Sequence, residues 1–360
     1  MKLGIDISQT AFRGTGVARF TEGLAQGICD FDHDNEWHFF FSSLRGKPPA
    51  ALIETIHNAG HHFDRAYWPP TILSHIWNDL HIYDVQHITG PLDWFITSDW
   101  TEPPASCRKA TIVHDLAYVR YPETVATSIR RTQKHRMKHV VTESRIIFAD
   151  SESTKDDLLT LLHVDRSRVT VNYPGISPPR AIQGDSQVVS RVKNPYILCV
   201  GKREPRKNLD RLIEAYTRAQ LHDTDLIIVG EKGWGTTPKP SHVSDRVHFL
   251  GYVNDDELSA LYRDCLFFVY PSIWDGFGYL VIEAMSYKAP VATSETSSLG
   301  EIAKGNALLF DPNSIESITD ALVTLSQDAK IRWHLAKKGA AHAAQFTWER
   351  YYKTLMKHLV

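Results

Sequence analysis

The feature that most restricts the fold of this chain is an alternation of short apolar runs with segments of helical periodicity, which occurs twice along its length. In the first stretch, an apolar run around Leu3 and Ile5 leads into Arg13-Gly14-Thr15-Gly16. Val17, Phe20, Leu24 and Ile28 then recur at helical spacing, which makes a strand, a glycine loop and a helix. Further apolar runs fall at residues 37–41, 83–87, 110–113, 145–149 and 169–171, and Ser151 and Ser153 open a helix through Leu162 as capping residues. The second stretch starts with a strand over residues 196–200, ending at Gly201, and a helix over 209–219. Strands at 226–229 and 247–250, a helix at 255–263, a buried strand at 266–270, a helix at 279–287 and strands around Val291 and 308–310 follow. Alternation of this kind predicts a parallel α/β sheet in each stretch. Strands ending in glycine place their loops at the carboxyl edge, where open sheets bind ligands.

Between Tyr173-Pro174-Gly175 and Asn194-Pro195 the chain is rich in Pro, Ser and Gly, so the boundary belongs there. A length of 360 residues accommodates two cores of similar size. The expected domains are residues 1–176, joined by an amphipathic C-terminal helix within 344–360, and residues 195–343, with 177–194 as linker. Two domains imply a cleft. With 42% hydrophobic and 23% charged residues the chain is not a disordered one, and a formal charge of -2 argues against a nucleic-acid partner. Cys29, Cys107, Cys199 and Cys265 lack any metal-binding or CxxC spacing and are expected as reduced thiols, with neither disulfide nor zinc. The N-terminal MKLGIDIS meets Asp6 too soon for a signal peptide, and no run is long enough to span a bilayer, so a cytoplasmic location is expected.

The strongest chemical signal runs from Tyr270 to Met285, where Asp275-Gly276-Phe277-Gly278 follows a buried strand and Glu283 lies in the helix behind it. A glycine turn at a helix N-terminus offers amide N–H groups and a positive dipole end to phosphate, while carboxylates accept from sugar hydroxyls. The same pattern fits a loop with two solvated acids, Glu283 merely favouring the helix start. Lys202, Arg203, Arg206 and Lys207 place four cations on the turn between a strand and a helix, a phosphate-binding arrangement or a solvated basic loop. The Gly14–Gly16 loop alone lacks the full dinucleotide fingerprint. His114-Asp115 sits where the run 110–113 ends, at a carboxyl edge.

Taken together, these residues resemble glycosyltransferase family 4. Two acids separated by seven residues in a Gly-Phe-Gly loop, ending Glu-Ala-Met, look like its signature. His114-Asp115-Leu116, Ser151 to Lys155, Pro174-Gly175-Ile176, Pro205-Arg206-Lys207-Asn208 and Gly230 to Trp234 extend the likeness over nearly the whole chain. The resemblance implies a GT-B architecture, two Rossmann-like α/β domains whose parallel sheets face a central cleft. It also implies a retaining hexosyltransferase that uses a nucleotide diphosphate sugar, mannose or glucose favoured, with a glycan or lipid-linked acceptor. By it, Glu283 binds the donor ribose and Asp275 the transferred sugar; Asp275 departs from the family's usual Glu by one methylene. Lys207 and a basic partner, Arg206 favoured over Lys202 and Arg203, hold the diphosphate together with the amides of Gly276, Phe277 and Gly278. Gly16 permits close backbone approach, and His114 lies under the donor sugar.

No cofactor and no metal are expected at the reacting centre. Asp30-Phe31-Asp32-His33-Asp34 imitates a metal motif, but Asn35 and Phe41 stand where a calcium loop needs Gly and Glu, so it is expected as a solvated turn. The basic stretch 130–139 is expected as a solvated face, or as a peripheral contact with the inner face of a membrane. Rival functions on the same plan are a nucleotide-sugar epimerase, a phosphorylase, and a protein that binds donor without turnover.

Overall fold

The computed structural model describes residues 1–12, 14–179, 192, 194–233 and 245–360. Arg13, Trp234 and most of the 177–194 linker lie outside these. The chain divides into one unit of Met1–Ser177 with Phe346–Val360 and a second of Pro178–Gln345.

In the first unit, strands β1 (Lys2–Asp6), β2 (Glu36–Ser42), β3 (His62–Ala66), β4 (Trp94–Ser98), β5 (Arg108–Val113), β6 (Ile146–Ala149) and β7 (Val169–Val171) form a parallel sheet in the order β3-β2-β1-β4-β5-β6-β7. In the second, β8 (Tyr196–Val200), β9 (Asp225–Val229), β10 (Val247–Gly251), β11 (Phe267–Tyr270), β12 (Val291–Ser294) and β13 (Leu308–Phe310) repeat it as β10-β9-β8-β11-β12-β13. In both sheets the order reverses beside the first strand, between β1 and β4 and between β8 and β11. Open α/β sheets bind ligands at the carboxyl edge beside such a reversal. The loop 201–208 after β8 and the loop 271–278 after β11 are thereby made neighbours, although some 70 residues separate them.

The strands are nearly continuous in apolar residues because helices cover both faces. Trp37, Phe39 and Phe41 alternate with Phe40 on β2 and are fully buried, on opposite faces of the sheet. The C-terminal helix Trp348–Leu359 returns to this unit and buries Tyr351, Leu355 and Leu359 in its core. It seats closely: a Cβ added at Gly23 would lie 2.3 Å from the Trp348 ring, and one at Gly175 2.5 Å from the Trp348 amide nitrogen.

Three expectations are corrected. Residues 83–87 form no strand: Tyr83 is left-handed, Asp84 accepts from the Gln86 amide at 2.8 Å, and a short helix Gln86–Thr89 follows. The strand beside β1 is instead Trp94–Ser98, wholly buried, whose Thr97 and Ser98 hid it from an apolar-run criterion. Asp32 is not a solvated turn residue. It is buried, accepts from the amides of Asp34 and Asn35, and takes the Trp37 indole N–H at 2.7 Å, a donor that needs a partner in the core.

Asp6 ends β1 at the carboxyl edge, buried, accepting from the Ser8 amide at 2.8 Å and the Thr101 hydroxyl at 3.3 Å. Burial outweighs these bonds and pushes its carboxyl up to about 6. The folded state therefore holds this proton more tightly than the unfolded chain. The resulting stability is fully present below about pH 4 and is lost as pH rises through about 6, on the order of 2–3 kcal/mol by pH 8. Asp6→Asn is accordingly expected to melt higher than the unsubstituted protein at pH 8 and to lose that advantage near pH 4, as read by thermal unfolding at both values.

Candidate functional site

The second unit builds its site at the reversal point between β8 and β11. Gly201 leaves β8 with φ of 148°, and a Cβ on Gly230, at the end of β9, would fall 2.0 Å from the Gly201 carbonyl oxygen. Glycine at 230 is thus required by the close passage of two backbones. The loop from Gly201 then turns through Pro205–Lys207 into the helix Leu209–Ala219. Asn208 pins it to its neighbours by donating to the carbonyl oxygens of Pro271 and Pro312 at 3.1 and 2.7 Å.

Asp275 is the centre of the charged cluster. Its Oδ2 accepts from Lys207 Nζ and from the Tyr270 hydroxyl, each at 2.7 Å, and Arg206 Nη1 stands 3.7 Å from Oδ1. Lys207 Nζ also donates to the Tyr270 oxygen. Arg206 is held by the Trp274 carbonyl at 2.6 Å and by Glu204 at 2.8 Å. Burial would push the Asp275 carboxyl up, but the Lys207 and Arg206 charges, with the hydrogen bonds from Lys207 and Tyr270, bring it down to about 2. Asp275 is therefore ionised throughout the neutral range and neutralises part of the local positive charge.

The helix Tyr279–Ser286 begins just beyond. Its first flanking residue, Gly278, has φ of 90°, and a Cβ there would lie 2.6 Å from Leu299, so glycine is required on both counts. The side chains of Trp274 and Phe277 are buried, and Asp275 between them is only partly so. Glu283, one turn into the helix, accepts from the hydroxyl of the buried Tyr262 at 3.1 Å, and Tyr262 stacks on Tyr287. Of the four cations in the basic loop, Arg206 and Lys207 are the pair brought to Asp275. Arg203 lies over the Phe249 ring instead.

The first unit has its own polar group at the carboxyl edge. His114 follows β5; its Nδ1 donates to Asp150 at 2.7 Å, its Nε2 is 2.9 Å from the Ser98 hydroxyl, and Phe20 meets its ring edge-on. Burial alone would lower the imidazole, but the Asp150 and Asp99 charges and the Asp150 hydrogen bond raise it above its ordinary value. Sequence reasoning missed Asp150 and Ser98. Asp150 had one signal, its place at the end of the run 145–149, and Ser98 had none, because β4 itself was hidden. Gly16 opens the helix Gly16–Phe31 with nothing within 4 Å of where a Cβ would stand, and Thr15 caps that helix by accepting from the Ala18 amide. The left-handed position in this loop is Gly14, with φ of 81°.

Among the described residues two clusters assemble metal-ligand types, Glu36/His38/His62 and His81/His139/Glu143. In the first, Lys2 already occupies the Glu36 oxygen that both histidines approach. In the second, the imidazoles stack with centroids 3.6 Å apart and planes within 3°. A metal bonds at roughly 2.0–2.1 Å in the plane of each ring, which two such parallel rings cannot share without splaying apart.

Residues 14–180 match the family model of glycosyltransferase family 4, and residues 184–342 that of glycosyl transferases group 1. The O-antigen chain mannosyltransferase B of Escherichia coli is 28% identical over 67% of this chain and 67% of its own length. The chain spans 62–67% of the length of the first curated relatives it matches. In fold it is similar to sucrose-phosphate synthase from Thermosynechococcus elongatus, with a TM-score of 0.74 and 17% identity over 99% of this chain and 98% of that one. It is likewise similar to Anabaena HepE solved with UDP and glucose, with a TM-score of 0.72 and 15% identity over 100% and 99%. Two parallel sheets of one repeated strand order, a Gly-Phe-Gly loop set against a basic loop, and matches covering both halves lead to one assignment: the chain belongs to the GT-B glycosyltransferases of family 4 and group 1.

Proposed function

We propose that the protein transfers a hexose, mannose or glucose, from a nucleotide diphosphate sugar to a glycan or lipid-linked acceptor, with retention of anomeric configuration and with no metal or cofactor in the transfer step. The observation that carries this is the convergence of Lys207 and Arg206 on the loop that precedes the helix Tyr279–Ser286. Two cations beside a helix N-terminus suit a diphosphate whose charge grows as its bond to the sugar breaks. Asp275, ionised and already hydrogen-bonded on one oxygen, has acceptor capacity left for sugar hydroxyls. Glu283, held by Tyr262, is the ribose acceptor, and His114 donates to the sugar or to developing charge.

As the diphosphate leaves, an oxocarbenium-like sugar forms, and the departing phosphate oxygen takes the proton of the acceptor hydroxyl attacking from the same face. Lys207, Arg206 and the loop amides stabilise the charge on that oxygen. Mannose is favoured by the O-antigen relative, glucose by the sugar bound to HepE. Incubation with GDP-mannose or UDP-glucose and an oligosaccharide acceptor, followed by NMR of the new linkage, tests the reaction. A product with the donor's anomeric configuration is expected. An inverted product, or sugar isomerised without acceptor, would refute it.

No helix among the described residues is long and apolar enough to cross a membrane. A lipid-linked acceptor instead suits the exposed stripe of Arg131, Lys134 and Lys138 on the helix Thr127–Glu143, each cation being worth about 1 kcal/mol at an anionic surface. Vesicles containing anionic lipid are expected to carry the protein through flotation at low salt, and Arg131→Ala/Lys134→Ala/Lys138→Ala to reduce that fraction several-fold. Equal flotation of both proteins would remove the stripe from the account.

A further inference from the structure

The support of His114 extends beyond Asp150 to the far end of the chain. Asp150 uses Oδ2 to hold His114 Nδ1, while its Oδ1 is buried and accepts no hydrogen bond from the protein. The Tyr351 hydroxyl is likewise buried without a partner. Tyr351 lies close enough to Asp150 for the carboxylate charge to add to burial in pushing the phenol up. The Tyr351 ring meets Phe20 edge-on at 5.5 Å, and Phe20 meets His114 at 4.6 Å, so the three form one packed group. The helix is fixed in place by Asn172, which donates to the Tyr351 carbonyl oxygen at 3.1 Å, and by Trp348 seated against Gly23 and Gly175.

We infer that Tyr351 of the C-terminal helix is a positioning residue for His114, its hydroxyl linked to Asp150 Oδ1 through one buried water. An unpaired carboxylate oxygen and an unpaired phenol beside the same packed rings are complementary acceptor and donor, and leaving both unmade is costly. A water with these two partners satisfies both groups. The bond favours ionised Asp150, which in turn holds His114 in the tautomer with Nδ1 protonated and keeps its Nε2 directed at Ser98 and the carboxyl edge. The other charges that act on His114 are Asp99 and Arg136, and Asp115 acts on Asp150.

The role of His114 in transfer rests on the proposed function, but the coupling does not, and it is read without donor or acceptor. NMR titration of the histidine ring signals, with His114 identified by the signal lost in His114→Gln, is carried out on the full chain, Tyr351→Phe and Asp150→Asn. Tyr351→Phe keeps the ring and removes one oxygen. It is expected to lower the His114 midpoint by about half a unit, and Asp150→Asn by about one unit or more. The thermal midpoint of Tyr351→Phe should fall slightly. If Tyr351→Phe leaves the His114 titration in place while Asp150→Asn moves it, or if Tyr351→Phe melts higher as expected for removal of a truly unpaired hydroxyl, the inference is overturned and the helix only packs. Turnover of His114→Gln, measured separately, reports on the proposed function alone.

Discussion

Replacing Asp275 with Asn is expected to lower turnover by about 10²- to 10³-fold, the scale for losing one preorganised polar contact to a transition state. Binding of the bare nucleoside diphosphate should not weaken. The two expectations separate because Asp275 does two things. In the proposed transfer it offers acceptor oxygens to the sugar, and in the structure it neutralises Lys207 and Arg206, which stand 2.7 and 3.7 Å from it. Asn keeps the shape but removes the charge, so the cations become more attractive to phosphate while the sugar loses its anionic acceptor. Steady-state kinetics and calorimetry with bare GDP and UDP check the two halves. Parallel loss of both would mean that Asp275 organises the loop and makes no contact with sugar.

The largest stability effect is expected away from both carboxyl-edge sites. Lys109 on β5 is 2.9 Å from Glu102 and 2.8 Å from Glu143, and Glu102 is fully buried. Glu102 also accepts from Thr97 at 2.7 Å and has Arg136 at 3.7 Å. Removing Lys109 takes from the buried Glu102 its nearest counter-charge and leaves it the Thr97 hydroxyl and the more distant Arg136, a loss on the scale of breaking a buried pair, about 3–5 kcal/mol. Lys109→Met should therefore lower the thermal midpoint by about 10 °C for a domain of this size. By contrast, Lys353→Ala removes the exposed pair with Glu349 and should cost under about 0.5 kcal/mol. A difference of less than a few degrees between the two variants would show that water reaches the Glu102 cluster.

Much of the fold was legible because strand and helix periodicities are local. The runs around β1, β5, β6, β8 and β11 stand out as apolar, and the cap at Ser151 is visible as a residue type. β4 was not legible, since Thr97 and Ser98 dilute its pattern and their burial is repaid by partners brought from β5 and from the loop after β4. Within the candidate site, Lys207, Arg206, Asp275, Gly278 and Glu283 each carried a local signal. What no local signal could report is that Lys207 and Asp275 pair, because strand order alone sets the two loops side by side. The partners of His114 were hidden for the same reason: Ser98, Asp150 and His114 end three adjacent strands. Arg136 and His139 were counted in a solvated basic face. Yet Arg136 is buried beside Glu102, and His139 is 3.0 Å from the Asn78 carbonyl oxygen, contacts supplied by segments distant in sequence.

The central claim is that the second unit binds a nucleotide diphosphate sugar through Lys207, Arg206 and Glu283 with no metal. Calorimetric titration of GDP-mannose, UDP-glucose and UDP-N-acetylglucosamine in EDTA, on the unsubstituted protein and on Lys207→Ala and Glu283→Ala, measures it directly. The account predicts saturable binding of one donor, weakened about tenfold or more by each substitution. Binding that appears only when a divalent cation is added, or that both substitutions leave unchanged, would contradict it.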